Sequence, residues 1–153
     1  MTSQSKGLTQ EGIESLADII MSMQRCFVLH LSEELSHGNV SFPQFFLLGH
    51  IVDDQTLSMT EIADRMNHTT AAATGLVDRL ENLGYVLRCH DAGDRRKVLV
   101  HTTPKGEELV NRIRRDIVGK LSCLMEILTP EEQLSWLQIY EKLHNHISCS
   151  DSN

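Results

Sequence analysis

Apolar residues recur every three or four positions along two long parts of the chain, which is the period of an amphipathic α-helix. Residues 10–36 are predicted to form one helix that ends at Gly38-Asn39. Pro104 and Pro130 each stand where a further helix is expected to begin. The three apolar stripes consist of Ile13, Leu16, Ile20, Met23, Phe27 and Leu31, then Leu109, Ile113, Ile117, Leu121, Leu124 and Leu128, and finally Leu134, Leu137, Tyr140, Leu143 and Ile147.

Start and stop signals predict shorter helices in the middle of the chain. A serine three residues before a glutamine or glutamate forms a capping box at Ser41 and again at Ser58. The helix after Ser41 is apolar nearly all round, so we expect it to be buried. Residues 67–70 (Asn-His-Thr-Thr) end the second helix, and their threonines can cap the next one, which stops at Gly84.

After Gly84 the hydrophobic period changes from about 3.6 to two, which is the period of a β-strand. Residues 85–90 and 97–102 are predicted as strands around the polar turn 91–95, so together they form a β-hairpin. The resulting order makes residues 41–102 a winged helix-turn-helix within a mainly α (α+β) fold. In such a module the second helix enters the major groove of DNA, and a basic hairpin tip can reach the minor groove.

Charge is distributed unevenly along the 153 residues, a length typical of one domain. The net charge of −7 would by itself argue against binding to nucleic acid. However, residues 1–64 carry −7 and residues 102–153 carry −2, whereas residues 65–101 carry +2. The basic excess therefore falls on the predicted DNA-binding helix and hairpin.

Several classes of protein are not expected. No run of 18 apolar residues is present, and the polar start 1–7 does not resemble a secretory signal, so we expect a cytoplasmic protein without a membrane span. The sequence contains no G-x-S-x-G motif, no glycine-rich phosphate loop and no zinc-hydrolase motif. The four cysteines show no C-x-x-C spacing. We therefore expect no catalytic residues, no cofactor and no metal site.

Four short segments stand out: residues 75–86 (Gly-Leu-Val-Asp-Arg-Leu-Glu-Asn-Leu-Gly-Tyr-Val), Arg88, residues 94–100 (Asp-Arg-Arg-Lys-Val-Leu-Val) and residues 103–106 (Thr-Pro-Lys-Gly). Together they resemble the MarR family of bacterial and archaeal transcription regulators. The resemblance is dense over 75–106, and the helix order extends it over essentially the whole chain.

The resemblance implies a homodimer that binds double-stranded DNA at a pseudo-palindromic operator, most simply as a repressor. Residues 1–40 and 103–153 would supply the dimerisation helices, and residues 41–102 the DNA-binding lobe of one MarR-type domain. The apolar stripes support a dimer independently, because three long amphipathic helices exceed what a winged core of this size can cover.

Position by position, the resemblance places Arg96 in the minor groove, with Asp94 pairing with its side chain. Arg95 and Lys97 would bind phosphates, and Arg88 would either buttress the wing or touch the DNA backbone. In the recognition helix the exposed candidates offer hydroxyl and methyl groups for phosphates and thymine methyls. These candidates are Thr69, Thr70, Ala71, Ala72, Thr74 and Gly75.

No Arg, Asn or Gln lies between Thr69 and Asp78 to make a bidentate contact with a base. We therefore expect modest sequence specificity from the recognition helix, with the wing supplying much of the affinity. Arg79 has two interpretations, a phosphate contact or an ion pair with Asp78 or Glu81.

Many members of the family bind a small anionic or aromatic effector beside the dimerisation helices. By position, Arg25, His30 and His50 are candidates for such a site, together with residues of the helix 103–128. The alternative is that both histidines are core or interface residues and that Arg25 is a surface residue.

Two other functions use the same fold. Some relatives sense oxidants through a cysteine, and Cys26 is the candidate, although no lysine or second cysteine adjoins it. A winged helix can also serve as a protein-docking module, which would not need a basic wing tip. Binding to DNA that falls steeply with added salt distinguishes a regulator from a docking module.

Overall fold

The computed structural model describes the backbone of residues 7–150 and their side chains, except those of Cys26, Phe27, His30, Ser32 and residues 148–150. Helices dominate the described residues, with three short strands inserted among them. In chain order the elements are α1 (Gln10–Gly38), α2 (Phe42–Asp54), β1 (Thr56–Ser58), α3 (Met59–Arg65), α4 (Thr70–Asn82), β2 (Val86–His90), β3 (Val98–Thr102), α5 (Pro104–Met125) and α6 (Pro130–Ser150).

The predicted helix boundaries are confirmed by their capping interactions. Helix α1 begins after Thr9, whose side-chain oxygen accepts a hydrogen bond from the backbone N–H of Gly12 at 3.2 Å. It ends at Asn39, which adopts the left-handed conformation with φ 54°. Helix α2 begins after Ser41, whose backbone N–H donates to the Gln44 side chain at 2.9 Å, as the capping box predicts.

The strands form one antiparallel sheet in the order β1-β3-β2. The predicted hairpin is its β2–β3 pair, in which Val86 lies opposite Thr102 and Cys89 opposite Leu99. The third strand, β1, was not predicted. It has three residues, with Thr56 opposite His101, and is too short to display an alternating pattern. The strand forms because it pairs with β3, a partner that lies far along the chain.

The core lies between one face of this sheet and the helices α2, α3 and α4. Its fully buried side chains include Leu47, Leu48 and Ile51 of α2. The expectation that α2 is buried nearly all round is wrong in one respect, because Phe46 is 55% exposed. The other large side chains that are fully buried in this part of the chain are Ile62, Val77, Leu80, Val86 and Val100.

The chain forms two compact units, one that ends at Asn111 and one that begins at Arg112. The first contains α1 to α4, the sheet and the start of α5. The second contains the rest of α5 and α6, which begins after a capping box in which the Thr129 backbone N–H donates to Glu132 at 2.9 Å. Between residues 7 and 150, no helix combines the length and the hydropathy that a membrane span requires.

Candidate nucleic-acid interface

Helices α3 and α4 form a helix-turn-helix, and three local features fix the start of α3, the turn and the start of α4. The Ser58 backbone N–H donates to the Glu61 carboxylate at 2.7 Å, which closes the capping box of α3. Asn67 takes the left-handed conformation with φ 49°, as expected for the turn. Thr69 caps α4, because its Oγ1 accepts the backbone N–H of Ala72 at 3.2 Å. The sequence thus defines where α4 begins.

The first half of α4 presents a small, uncharged surface. Thr70, Ala71, Ala72 and Gly75 are exposed, whereas Ala73 faces the core. Two of the predicted contact hydroxyls are already engaged within the helix. Thr69 is used by the cap, and the Thr74 hydroxyl donates to the Thr70 carbonyl oxygen at 2.8 Å. Thr70 is therefore the threonine of this group whose hydroxyl the described contacts leave available.

The wing tip is a turn that its own aspartates hold in shape. The Asp91 carboxylate accepts the backbone N–H of Gly93 at 2.6 Å and that of Asp94 at 3.2 Å. These two hydrogen bonds, the one from Gly93 first, lower the pKa of Asp91 below its ordinary value. Asp91 and Lys97 close the turn with a backbone hydrogen bond of 3.0 Å. The turn is therefore pre-formed.

The cations Arg95, Arg96 and Lys97 follow in sequence, and all three are exposed. The expected pairing of Asp94 with the Arg96 side chain differs from what the structure shows. Asp94 Oδ1 accepts the backbone N–H of Arg96 at 3.0 Å, and no ion pair joins the two side chains in the described part of the chain. The short aspartate side chain satisfies the turn's own amides first. Asp94 thus shapes the turn, and the guanidinium remains available.

Arg88 has a different environment from the three tip cations, because its side chain is only 23% exposed. Its Nη2 lies 2.6 Å from Asp78 Oδ1, and its Nη1 binds Glu81. The Arg88 backbone N–H also donates to Glu81 at 3.1 Å. Burial works to lower the pKa of Arg88, but the hydrogen bonds to Asp78 and Glu81 outweigh it, and the net pKa is raised. Arg88 therefore buttresses the wing against α4.

The comparisons with known proteins agree with this geometry. A model of the MarR family matches residues 39–97, which cover α2, the helix-turn-helix, β2 and the wing turn. The HTH-type transcriptional repressor YetL of Bacillus subtilis is 32% identical over 137 residues, which are 88% of this chain and 79% of YetL. The chain belongs to the MarR family. It is therefore one of a family of transcription regulators and not of enzymes.

A further relative resembles this MarR protein in sequence, and two solved structures share its fold. The HTH-type transcriptional regulator YfiV of Bacillus subtilis is 34% identical over 105 residues, which are 69% of this chain but 64% of YfiV. A MarR family protein from Bacillus stearothermophilus has the same fold, with a TM-score of 0.81 at 22% identity over 93% of this chain and 99% of its own. The MepR chain in a complex of S. aureus MepR with DNA has the same fold, with a TM-score of 0.69 and 20% identity. The match covers 88% of this chain and 98% of the MepR chain.

The Thr-Pro-Lys-Gly motif of this MarR chain has a structural role. Gly106 passes so close to the wing that a Cβ would lie 2.3 Å from the Tyr85 carbonyl oxygen. The Thr103 hydroxyl donates to the Gly84 carbonyl at 2.7 Å, and Lys105 Nζ binds the Leu83 carbonyl at 2.6 Å. The motif therefore fastens the start of α5 to the end of α4 and the first residue of the wing.

Of the two sequence-based interpretations of Arg79, the structure does not show the ion pair, and the phosphate contact stays a prediction. Asp78 and Glu81 bind Arg88, so neither is the partner of Arg79. Arg79 is exposed and borders an open cleft beside the turn between α1 and α2, together with Asn39 and Gln44. The sequence does contain a signal for the partners of Arg88. Asp78 and Glu81 are three residues apart on α4, so their carboxylates lie on the same side of the helix and can bind one arginine from a neighbouring strand.

The predicted effector residues are only partly described. Arg25 is exposed on α1 and His50 is half-buried on α2, and no hydrogen bond or ion pair joins them. The His30 side chain lies outside the described residues, as does that of Cys26. Within the described residues no cluster of three or more His, Cys, Asp or Glu side chains is arranged to hold a metal.

Proposed function

We propose that this protein is a DNA-binding transcription repressor that acts as a homodimer on a pseudo-palindromic operator in the cytoplasm. The observation that carries the proposal is the wing tip. Arg95, Arg96 and Lys97 are exposed on a turn that Asp91 and Asp94 hold in place. In a chain of net charge −7, such a cationic tip suits a phosphate backbone or a narrow minor groove.

The two DNA-contacting elements have different parts in this proposal. The start of α4 offers Thr70, Ala72 and the methyl group of Thr74 to the major groove, where they suit a phosphate or a thymine methyl. It carries no side chain for a bidentate contact with guanine or adenine. We therefore assign positioning and limited base discrimination to α4, and much of the affinity to the wing. Arg88 is assigned to the support of the wing, and Arg79 to a phosphate contact.

The dimer is proposed from uncovered apolar surface. On α1, Ile13, Leu16, Ile19 and Ile20 are between 43% and 53% exposed. In the second unit, the last helix exposes an even longer apolar series. Surfaces of this kind are covered by a partner in stable proteins. We assign residues 1–40 and 103–153 to the interface and residues 41–102 to DNA. The exposed series on α6 consists of Leu134, Leu137, Ile139, Tyr140, Leu143 and Ile147.

Repression is the simplest outcome of operator occupancy, and the relative YetL is a transcriptional repressor. A small anionic or aromatic effector that releases the operator completes the proposal. Arg25, His30 and His50 remain its candidate residues. Exposed Arg25 would supply the positive charge, and half-buried His50 a hydrogen-bonding group beside the core.

The experiment that tests the function is a binding selection from random duplex DNA at a low and a moderate salt concentration. We expect a pseudo-palindromic sequence to be enriched at both salt concentrations. The logarithm of the binding constant should fall linearly with the logarithm of the salt concentration. Recovery of half-sites one helical turn apart would support a dimer with two winged lobes.

Two results would contradict the proposal. Weak binding without a motif under both conditions would favour a winged helix that docks on proteins. Selection of a motif only after reduction or oxidation of the protein would favour the cysteine-based regulator. Where the parent protein enriches a sequence, the triple variant R95A/R96A/K97A tests the wing, because a DNA-binding wing predicts loss of that sequence.

A further inference from the structure

The outer face of the sheet carries a chain of three polar side chains, one from each strand. Cys89 Sγ of β2 lies 2.8 Å from His101 Nε2 of β3. On its other side, His101 Nδ1 lies 2.8 Å from Thr56 Oγ1 of β1. The proposed DNA contacts use none of these side chains. The arrangement is that of a nucleophile, a base and a group that orients the base.

The strand register places these residues on the face opposite the core. Thr56 and Leu87 both pair with His101, and Cys89 pairs with Leu99, so these side chains share one face. Val100, which pairs with Leu57, points into the core from the other face and is fully buried. Cys89 is exposed, and Leu87 beside it is 58% exposed. A small molecule thus has direct access to the thiol and an apolar side chain to rest on.

The hydrogen-bond pattern gives each ring nitrogen of His101 a defined task. In the tautomer that carries its proton on Nδ1, the Nδ1–H donates to Thr56 Oγ1, and Nε2 accepts the Cys89 S–H. Nε2 is therefore placed to take the thiol proton when the sulfur attacks. The imidazole also borders an open cleft of about 390 Å³ that is lined by Gln55, Glu107 and Asn111. Water in this cleft can exchange protons with the ring.

We propose that Cys89 is a covalent modification site for soft carbon electrophiles of the α,β-unsaturated carbonyl class, with His101 as its base and Thr56 as the residue that orients the base. The sulfur lone pair forms a bond to the β carbon, and the C=C π electrons move to form an enolate. The thiol proton passes to His101 Nε2 and from there to the α carbon. The net reaction adds S–H across the C=C bond and needs no oxidant.

The choice of an enone over a peroxide follows from the surroundings of the thiol. Hydrogen peroxide has no apolar part and gains nothing from exposed Leu87, whereas the carbon skeleton of an enone can pack against it. Among the described residues the other free cysteine is Cys123 of α5, which is exposed and makes no hydrogen bond to a histidine. Cys123, which lies in the segment assigned to the proposed interface, is therefore an internal reference for a thiol without a histidine partner, and Cys89 of the variant H101Q is the reference at the same place in the fold.

The test measures adduct formation by peptide mass spectrometry of the full-length protein treated with cyclohexenone at neutral pH. Because His101 is placed to take the thiol proton as the sulfur attacks, we expect Cys89 to react about tenfold faster than Cys123. H101Q should bring the rate at Cys89 close to that at Cys123. T56V should give a smaller decrease, because it keeps the base but removes its orienting group. Circular dichroism checks that both variants remain folded.

Two results would overturn the assignment. One is an equal rate at Cys89 and Cys123 in the parent protein. The other is an unchanged rate at Cys89 in both folded variants. If hydrogen peroxide oxidises Cys89 readily while cyclohexenone leaves it unmodified, the electrophile class is wrong as well.

A consequence for regulation rests on the proposed DNA-binding function. An adduct at Cys89 removes the S–H donor from His101 Nε2 and places a bulky group one residue from Arg88, the support of the wing. We expect the Cys89 adduct to lower operator affinity at least several-fold, and C89S treated in the same way to keep its affinity. If unmodified protein binds no operator, the proposed function fails, while the labelling ratio still decides the site. If modified protein binds as tightly as before, the regulatory consequence is wrong.

Discussion

Arg88 of the wing strand is bound to Asp78 of the recognition helix, with 2.6 Å between Nη2 and Oδ1. The same guanidinium binds Glu81, and Nη2 lies 3.5 Å from the Thr74 carbonyl oxygen. One side chain therefore joins β2 to three positions along α4. In the proposed function the wing and α4 are the two elements that contact DNA. Arg88 therefore holds these two elements in a fixed position relative to each other.

Replacing Arg88 by alanine should weaken both the fold and the DNA contact. Hydrogen bonds to charged groups contribute about 1.5–3 kcal/mol each in favourable cases, and partial exposure of Asp78 reduces that, so we expect a loss of about 1–3 kcal/mol in unfolding free energy. Urea denaturation at one fixed protein concentration measures it. R79A is the matched control, since Arg79 is exposed and its loss should change stability by less than about 0.5 kcal/mol. Equal stabilities of the two variants would contradict the buttress.

The wing-tip arginine should affect DNA affinity without affecting the fold. R96A is expected to weaken operator binding by about 1–3 kcal/mol and to change the affinity's dependence on salt. Arg96 donates its backbone N–H to Asp94, and the alanine variant retains that bond, so the turn should survive. Titration of a labelled operator measures the affinity, with R114A, an exposed arginine on α5, as the control. An unchanged affinity in R96A would show that the wing does not bind DNA.

Local patterns in the sequence predicted most of the elements because their causes are local. The capping boxes at Ser41 and Ser58, the left-handed Asn67 and the hairpin after Gly84 depend on neighbours within a few residues. By contrast, β1 forms because Thr56 pairs with His101, which lies 45 residues later in the sequence. No local alternation of apolar and polar residues indicates this strand.

The site was predicted in part for the same reason. The exposed cations 95–97 follow from a polar turn between two strands, and their exposure was predictable. The partners of Arg88 were not predicted, because its pairing with Asp78 and Glu81 depends on the distance between β2 and α4 in the folded protein. The role of Asp94 was misjudged, since the choice between the backbone N–H and the side chain of Arg96 is decided by turn geometry.

Gly106 should tolerate no side chain. Alanine is favoured over glycine in helices by about 1 kcal/mol, so propensity alone predicts stabilisation. At this position, however, the Cβ would lie 2.3 Å from the Tyr85 carbonyl oxygen, and backbone cannot move aside cheaply. We expect G106A to lose about 1–3 kcal/mol of unfolding free energy, a size typical of overpacked sites. G119A in the same helix has nothing within 4 Å of its Cβ and should be neutral or slightly stabilised. Stabilisation by both variants would contradict the close contact.

Acid should destabilise the protein partly through the cap of α3. The Ser58 hydroxyl and then the Ser58 backbone N–H lower the pKa of Glu61 from its ordinary 4.5. A group whose pKa is lowered on folding contributes stability that is complete above its unfolded pKa and lost as the pH falls through the folded pKa. Stability should therefore decline below about pH 4.5, and less steeply in E61Q. The pKa of Asp91 is also lowered, so part of the decrease of stability with falling pH should remain in E61Q. Urea midpoints measured from pH 7 downward test this, and equal slopes in parent and E61Q would contradict it.

A charge on the apolar face of α1 should dissociate the proposed dimer. Leu16 is 45% exposed, and an ionised glutamate in its place would have to be desolvated in the interface without a partner. We expect L16E to sediment as a monomer at micromolar concentration and to lose operator affinity, since one winged lobe makes half of the phosphate contacts. S22E adds the same charge to an exposed position on another side of α1 and should remain a dimer. If the parent protein sediments as a monomer, or if both variants remain dimers with full affinity, α1 does not form the interface.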